Sequence, residues 1–208
     1  MGHFLSFVSP FRGENIVLKS NVIIDGPVHI EEGVKIFENT KIVGPCYIGK
    51  NTIIGNNVMI RESHIGSDCV VGFNSDIARS YIGDNCWFHS NYVGDSVLEE
   101  NISMGSGAVL ANVRLDEEDI YSKINDKPIN TNKNKLASII GSHVRIGSNA
   151  TVMPGIKIGG GSFVGAGVVL DKDLTDKSFC MVTPSYTVTQ NRKSTENTNR
   201  EKYRSRLR

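Results

Sequence analysis

The 208-residue chain carries 23 Lys+Arg against 22 Asp+Glu, a formal net charge of +1, so there is no electrostatic case for nucleic acid or an acidic membrane as its main partner. Aromatics make up 7% and glycines number 21, a composition that suits many turns and argues against a helical bundle. Cys46, Cys69, Cys86 and Cys180 form no C-x-x-C pair and show no zinc spacing; they read as small buried hydrophobes of a reducing compartment.

Residues 1–20 open with MGHFLSFVSPFRGEN, an apolar run with neither a basic flank nor a small-residue cleavage pattern. They are expected to be mature sequence that caps the first coil of a repeat beginning near residue 21. No apolar stretch approaches the ~20 residues of a membrane span, which makes the cytoplasm the default location. Aliphatics then recur every sixth residue at Ile24, Ile30, Ile36, Ile42, Ile48, Ile54 and Ile60. The step next alternates between five and six at Ile65, Val71, Ile77, Ile82, Phe88, Val93, Leu98, Met104 and Leu110. Residues 112–137, rich in Asn, Lys and Asp, lose the period and are expected to leave the repeat and return to it. The period resumes at Ile140, Ile146, Val152, Ile158, Val164 and Leu170. Residues 185–208 are polar and basic and read as a loosely ordered tail, or as a helix that packs on a neighbouring subunit.

A period of six is one short strand plus one turn, so three hexads close a triangular coil of about 18 residues with one aliphatic per side on the axis. Gly often follows the aliphatic, as in Ile48-Gly49, Ile65-Gly66 and Ile146-Gly147, and Asn or Asp comes one or two residues later, types that tolerate the positive φ of tight corners. A sandwich of alternating strands would instead show period two. The expected fold is therefore an all-β parallel helix over residues 21–184, with an excursion at 112–137.

The segment His89-Ser-Asn-Tyr92-Val-Gly94-Asp95, continued by Asn101-Ile-Ser103-Met-Gly105-Ser106-Gly107 and Ala111-Asn112, resembles the acetyltransferase domain of the bifunctional N-acetylglucosamine-1-phosphate uridyltransferase/glucosamine-1-phosphate acetyltransferases, and most nearly the archaeal-type sugar-1-phosphate nucleotidyltransferase/acetyltransferases. The resemblance covers about residues 24–184, and the stretch before the repeats is expected to hold no nucleotidyltransferase domain. It implies a left-handed β-helix, although parallel crossovers are ordinarily right-handed. It also implies a homotrimer that binds a small-molecule sugar acceptor and acetyl-CoA as co-substrate. His89 matches the catalytic base, a task that suits a group titrating near neutral pH. Tyr92 and Lys135 match acceptor contacts, and Arg61 matches a phosphate-gripping arginine whose planar fork donates two hydrogen bonds. Ser106, Ser148 and Ala166 match the positions that line the cofactor groove.

Three positions depart from the pattern. Ser103 stands where the family has an acceptor-contacting asparagine. Ala78 stands where it has a second phosphate-binding lysine, with Arg79 adjacent as a substitute. Near Val182-Thr183-Pro184 no arginine is found for the nucleotide phosphate, which leaves Lys172 or the tail to meet it. Two other functions compete with acetyl transfer. One is a non-catalytic oligomerisation or regulatory subunit of a separate sugar nucleotidyltransferase, which would have no need of His89 and Tyr92. The other is a zinc hydrolyase, but His3, His29, His64, His89 and His143 include no H-x-x-x-x-H pair and no metal site is expected.

Overall fold

The computed structural model describes residues 5–193 and 200–207 and shows a left-handed parallel β-helix with three faces. The first face has eight strands, from Phe11–Arg12 to Ile156–Ile158; the second has nine, from Val17–Leu18 to Phe179–Cys180; the third has eight, from Ile23–Asp25 to Val169–Leu170. All pairings within these faces are parallel, and each strand pairs with its counterpart one coil away. The ladder already includes Phe11–Arg12 and Val17–Leu18, in register with His29–Ile30 and Lys35–Ile36, and both strands are exposed as the terminal coil of the prism.

Register explains the period. On the first face Ile30, Ile48, Ile65, Ile82, Leu98, Ile140 and Ile158 stack in one column, and Leu98 pairs directly with Ile140 across the excursion. The other faces build equivalent columns from Ile36 to Val164 and from Ile42 to Leu170, and all of these side chains are buried on the axis. Removing this much aliphatic surface from water is the main force holding the coils together.

Small polar side chains turned inward at the corners complete the interior. Thr52 Oγ1–H donates to Gly66 O (2.8 Å) and accepts from Cys69 N–H (3.1 Å), and Cys69 Sγ accepts from Cys86 N–H (3.4 Å). Another corner stacks Ser63, Ser80 and Ser96 in the same way. Cys46, Cys69 and Cys86 thus serve the corner ladders and are buried, and burial pushes the Cys46 thiol up to about 11, whereas half-buried Cys180 continues the second-face column below Val164.

The corners differ in length. Those after the first face keep six-residue spacing, as do those after the second except at the His89 level, where Phe88 to Val93 is five residues; the six-residue corners set Asn39, Asn51, Asn57, Asp68, Asn74, Asn85 and Asn101 at positive φ. The third-to-first corner shortens to the five-residue step at Ile65, Ile82 and Leu98, and there Glu62, Arg79 and Asp95 hold φ of 46°, 47° and 49°. The excursion is an ordered antiparallel hairpin, Tyr121–Ile124 against Lys127–Asn130, tied back to the prism by Ser122 Oγ–H to Gly155 O (3.2 Å) and by Lys157 Nζ to Lys123 O. Outside the first face Phe11, His29, Tyr47, His64 and Tyr81 stack ring on ring at 4.6, 5.2, 4.7 and 4.6 Å. Residues 185–193 are exposed, and Arg200–Arg204 form a short helix. Residues 1–4 of the expected N-terminal cap, and 194–199 and 208 of the tail, lie outside the described residues.

Candidate active site

His89 opens the corner between the second and third faces, directly after the strand Trp87–Phe88. Its main chain is pinned from three sides. His89 N–H donates to Asn91 Oδ1 (2.8 Å), its carbonyl accepts from Ser75 Oγ–H (3.2 Å), and buried Asn91 donates from Nδ2 to Gly105 O (2.8 Å) and Ala108 O (3.0 Å) in the next coil. The imidazole itself is exposed.

The same corner continues down the axis through Gly105-Ser106, Gly147-Ser148 and Gly165-Ala166. Gly107 N–H donates to Ser90 O, Asn149 N–H to Ser106 O and Gly167 N–H to Ser148 O, all at 2.9–3.0 Å. The expected cofactor residues Ser106, Ser148 and Ala166 therefore form one exposed column beneath His89-Ser90. Packing between these coils is too close for side chains at the glycines: a Cβ on Gly105 would lie 2.7 Å from Ser148 N, and one on Gly147 2.4 Å from Ala166 N. The corner is thus a smooth strip of backbone and small side chains, a surface that fits a narrow, flexible arm such as pantetheine.

The third face adjoins this corner. Its outward column runs Met59, Asp76, Tyr92 and Val109 in register, beside a row of Arg61, Ala78 and Gly94. Arg61 Nη2 donates to both oxygens of Asp76 at 2.8 Å, while its buried Nε has no hydrogen-bond partner among the described residues. Tyr92 lies over Gly94, where a Cβ would be 2.5 Å from the phenolic oxygen, so the glycine leaves room for the ring to lie flat on this face. Burial, helped by the Asp95 and Asp76 carboxylates, raises the Tyr92 pKa, which keeps its hydroxyl a proton donor.

At the far edge of this face Arg79 grips Asp95 with Nε and Nη2, both at 2.7 Å, and the Asp95 hydrogen bond raises the guanidinium pKa further. Asn112 Nδ2 donates to the same carboxylate. Lys135 lines a cavity of about 390 Å³ with Arg79, Asp95, Glu62, Lys133 and Leu5. Ser103 lies apart from this set, on the second face, in register between Trp87 and Arg145, because it falls in the strand before the corner. A larger cavity, about 900 Å³, lies elsewhere, between the hairpin and the last coils, and is lined by Glu99, Lys123, Ser142, His143, Lys157 and Gly160 among others. None of the expected site residues lines it.

Comparison with known proteins accords with the repeat. The bacterial transferase hexapeptide (six repeats) model matches residues 27–62 and 137–172. The chain carries hexapeptide repeats of the kind this model describes. It is 38% identical over 161 residues to the bifunctional sugar-1-phosphate nucleotidylyltransferase/acetyltransferase of Sulfurisphaera tokodaii, covering 77% of this chain and 39% of that one. Over 209 residues it is 34% identical to the bifunctional protein GlmU of Methanococcus maripaludis, covering 91% and 46%. This hexapeptide-repeat protein thus spans less than half the length of these curated relatives. Among solved structures it is similar to an Arabidopsis UDP-N-acetylglucosamine acyltransferase, at 14% identity and a TM-score of 0.40, over 78% of this chain and 64% of that one. No described helix is long and apolar enough to cross a membrane.

Asp76 and Asn91 belong to this constellation and were not singled out from the sequence, while Asp95 and Asn112 were named there only as part of the resembling segment, with no role. Asn91 carried a usable signal, a polar residue at an inward corner position that Ala108 and Ala150 fill in later coils.

Proposed function

We propose that this protein is an acetyl-CoA-dependent acetyltransferase that moves the acetyl group to an amino or hydroxyl group of a sugar phosphate or nucleotide sugar, working as a homotrimer in the cytoplasm. The observation that carries this reading is the corner column. His89 stands at its head, Ser106, Ser148 and Ala166 continue it, and the adjoining third face offers Arg61 and Tyr92, with Arg79 and Lys135 at its far edge.

The chemistry follows from that order. The thioester arm lies along the small-residue strip with its carbonyl beside His89. The acceptor lies on the third face, its anionic group held by Arg61, Arg79 and Lys135 and its hydroxyls by Tyr92. As the acceptor nitrogen or oxygen forms its bond to the acyl carbon, the carbon–sulfur bond breaks. His89 takes the acceptor's proton and passes it to the departing thiolate, with no covalent enzyme intermediate.

Trimer assembly is supported by apolar surface on the second face and beside the His89 corner, where Phe73, Trp87, Phe163 and Phe179 are each about half exposed or more. A neighbouring prism seated there turns the corner strip into a groove. The unpaired Cys46, Cys69 and Cys86 suit a reducing compartment. The test is thiol release from acetyl-CoA in the presence of amino-sugar 1-phosphates, UDP-amino sugars or free sugars. Release stimulated by at least one acceptor is expected; no stimulation by any of them would favour the regulatory-subunit reading.

A further inference from the structure

Asp95 makes more connections than a turn residue needs. Its main chain turns the third-to-first corner at φ 49°, with its N–H donating to Ala78 O (2.8 Å) and its carbonyl accepting from Ala137 N–H (3.0 Å), where the excursion re-enters the prism. Its carboxylate, with the side chain only 13% exposed, takes two hydrogen bonds from Arg79 and one from Asn112, where the excursion leaves. Asn112 O in turn accepts from Leu136 N–H (3.1 Å). One residue therefore joins both ends of the excursion to the guanidinium in the coil above, the departing end through its carboxylate and the returning end through its main-chain carbonyl and Asn112. Lys135 immediately precedes the fastened return, and the Tyr92 hydroxyl and the Asn112 amide meet over the neighbouring Gly94.

A corner alone does not call for this. Elsewhere in the prism Asn or Gly takes most positive-φ positions at little steric cost, with Asp68, His143 and Lys177 as single exceptions, whereas Glu62, Arg79 and Asp95 take this conformation at three successive levels of one corner. Strain of this kind persists where the surroundings hold it in place and clusters at functional sites. At this corner it turns an acidic and a basic side chain toward each other beside the 390 Å³ cavity, with Lys133, Lys135 and Leu5 as its other walls.

We propose that Asp95 is a positioning residue for acceptor binding: it sets the Arg79 guanidinium, the Asn112 amide and the lysine-bearing return of the excursion in the geometry that receives the acceptor's anionic group. This rests on the acetyltransferase reading above. It assigns Asp95 no contact with the acceptor and no part in proton transfer.

The test is Asp95→Asn in the full chain. Asparagine keeps the shape and tolerates positive φ, so folding, assembly and melting temperature are expected to hold, while the charge that orders Arg79 is gone. The acceptor KM should rise ~10-fold or more, the size of a lost charge-assisted contact, with the acetyl-CoA KM unchanged. Arg79→Gln should raise the acceptor KM similarly, and the double variant should be no worse than Arg79→Gln alone, since the two act as one unit. A wild-type acceptor KM in Asp95→Asn, strictly additive effects in the double variant, or equal loss of both KM values with a lowered melting temperature would overturn the positioning role alone. A wild-type protein that transfers acetyl to no acceptor would remove the functional reading, and this proposal with it.

Discussion

Two corners of the same prism solve one turning problem in different ways. The corner after the second face turns with Gly and Asn and presents small side chains in line below His89. The corner after the third face has lost a residue per coil at three successive levels and turns on Glu62, Arg79 and Asp95. The first becomes a smooth strip and the second a charged, cross-linked edge. In a repeat whose coils differ little on the axis, function is written into the corners, and a one-residue change of step alters their chemistry without disturbing the columns between them.

The broadest test attacks the columns that both corners depend on. Ile42→Asp places an unpaired charge on a fully buried position between Ile24 and Ile60, so loss of the cooperative melting transition is expected; an unchanged melting curve would contradict the stacked core. Next comes the head of the smooth corner. His89→Ala, at an exposed side chain, should keep the fold and lower acetyl transfer at least ~100-fold, and wild-type turnover would remove His89 from the chemistry.

The division of labour between the corners gives a smaller and sharper effect. Ser148→Phe, exposed on the strip, should raise the acetyl-CoA KM ~10-fold and leave the acceptor KM alone, the reverse of the pattern expected for Arg79→Gln. Glu62→Asn replaces a strained residue with one at ease at positive φ, and thermal denaturation should show a gain of about 1 kcal/mol or less. The smallest effect concerns the ring stack outside the first face. Burial holds the His64 pKa below its ordinary value, so the unfolded chain takes up the proton more readily than the folded one. Stability is then fully present above the ordinary histidine range and declines as pH falls through it, and His64→Phe should flatten that acid limb.

Much of this architecture was legible in the sequence because the axis demands one aliphatic per hexad. Of the aliphatics picked out by period, all but Ile24, which is only partly buried in the first coils, lie in the buried core. The strip was legible for the same reason: Ser106, Ser148 and Ala166 occupy equivalent places in their hexads, so constant register brings them into line. Lateral partnerships were not legible. Asp76 meets Arg61, and Asp95 meets Arg79, across 15 and 16 residues, and those intervals coincide in space only once the corner lengths are known. Ser103 illustrates the converse, for similarity along the chain placed it with Tyr92, whereas the strand before the corner turns it onto another face. The hairpin Tyr121–Asn130 was hidden because its side chains are mostly exposed and polar, so no burial pattern marks its strands.

The most direct measurement is where acetyl-CoA, or a non-transferable analogue of it, lies on the protein, read by crystallography or by amide-exchange protection. Protection or density running along Gly105–Gly107, Gly147–Asn149 and Gly165–Gly167 and ending beside His89 is the predicted result. A cofactor lodged instead in the 900 Å³ cavity beneath the hairpin, against Ser142, His143 and Gly160, would contradict the account.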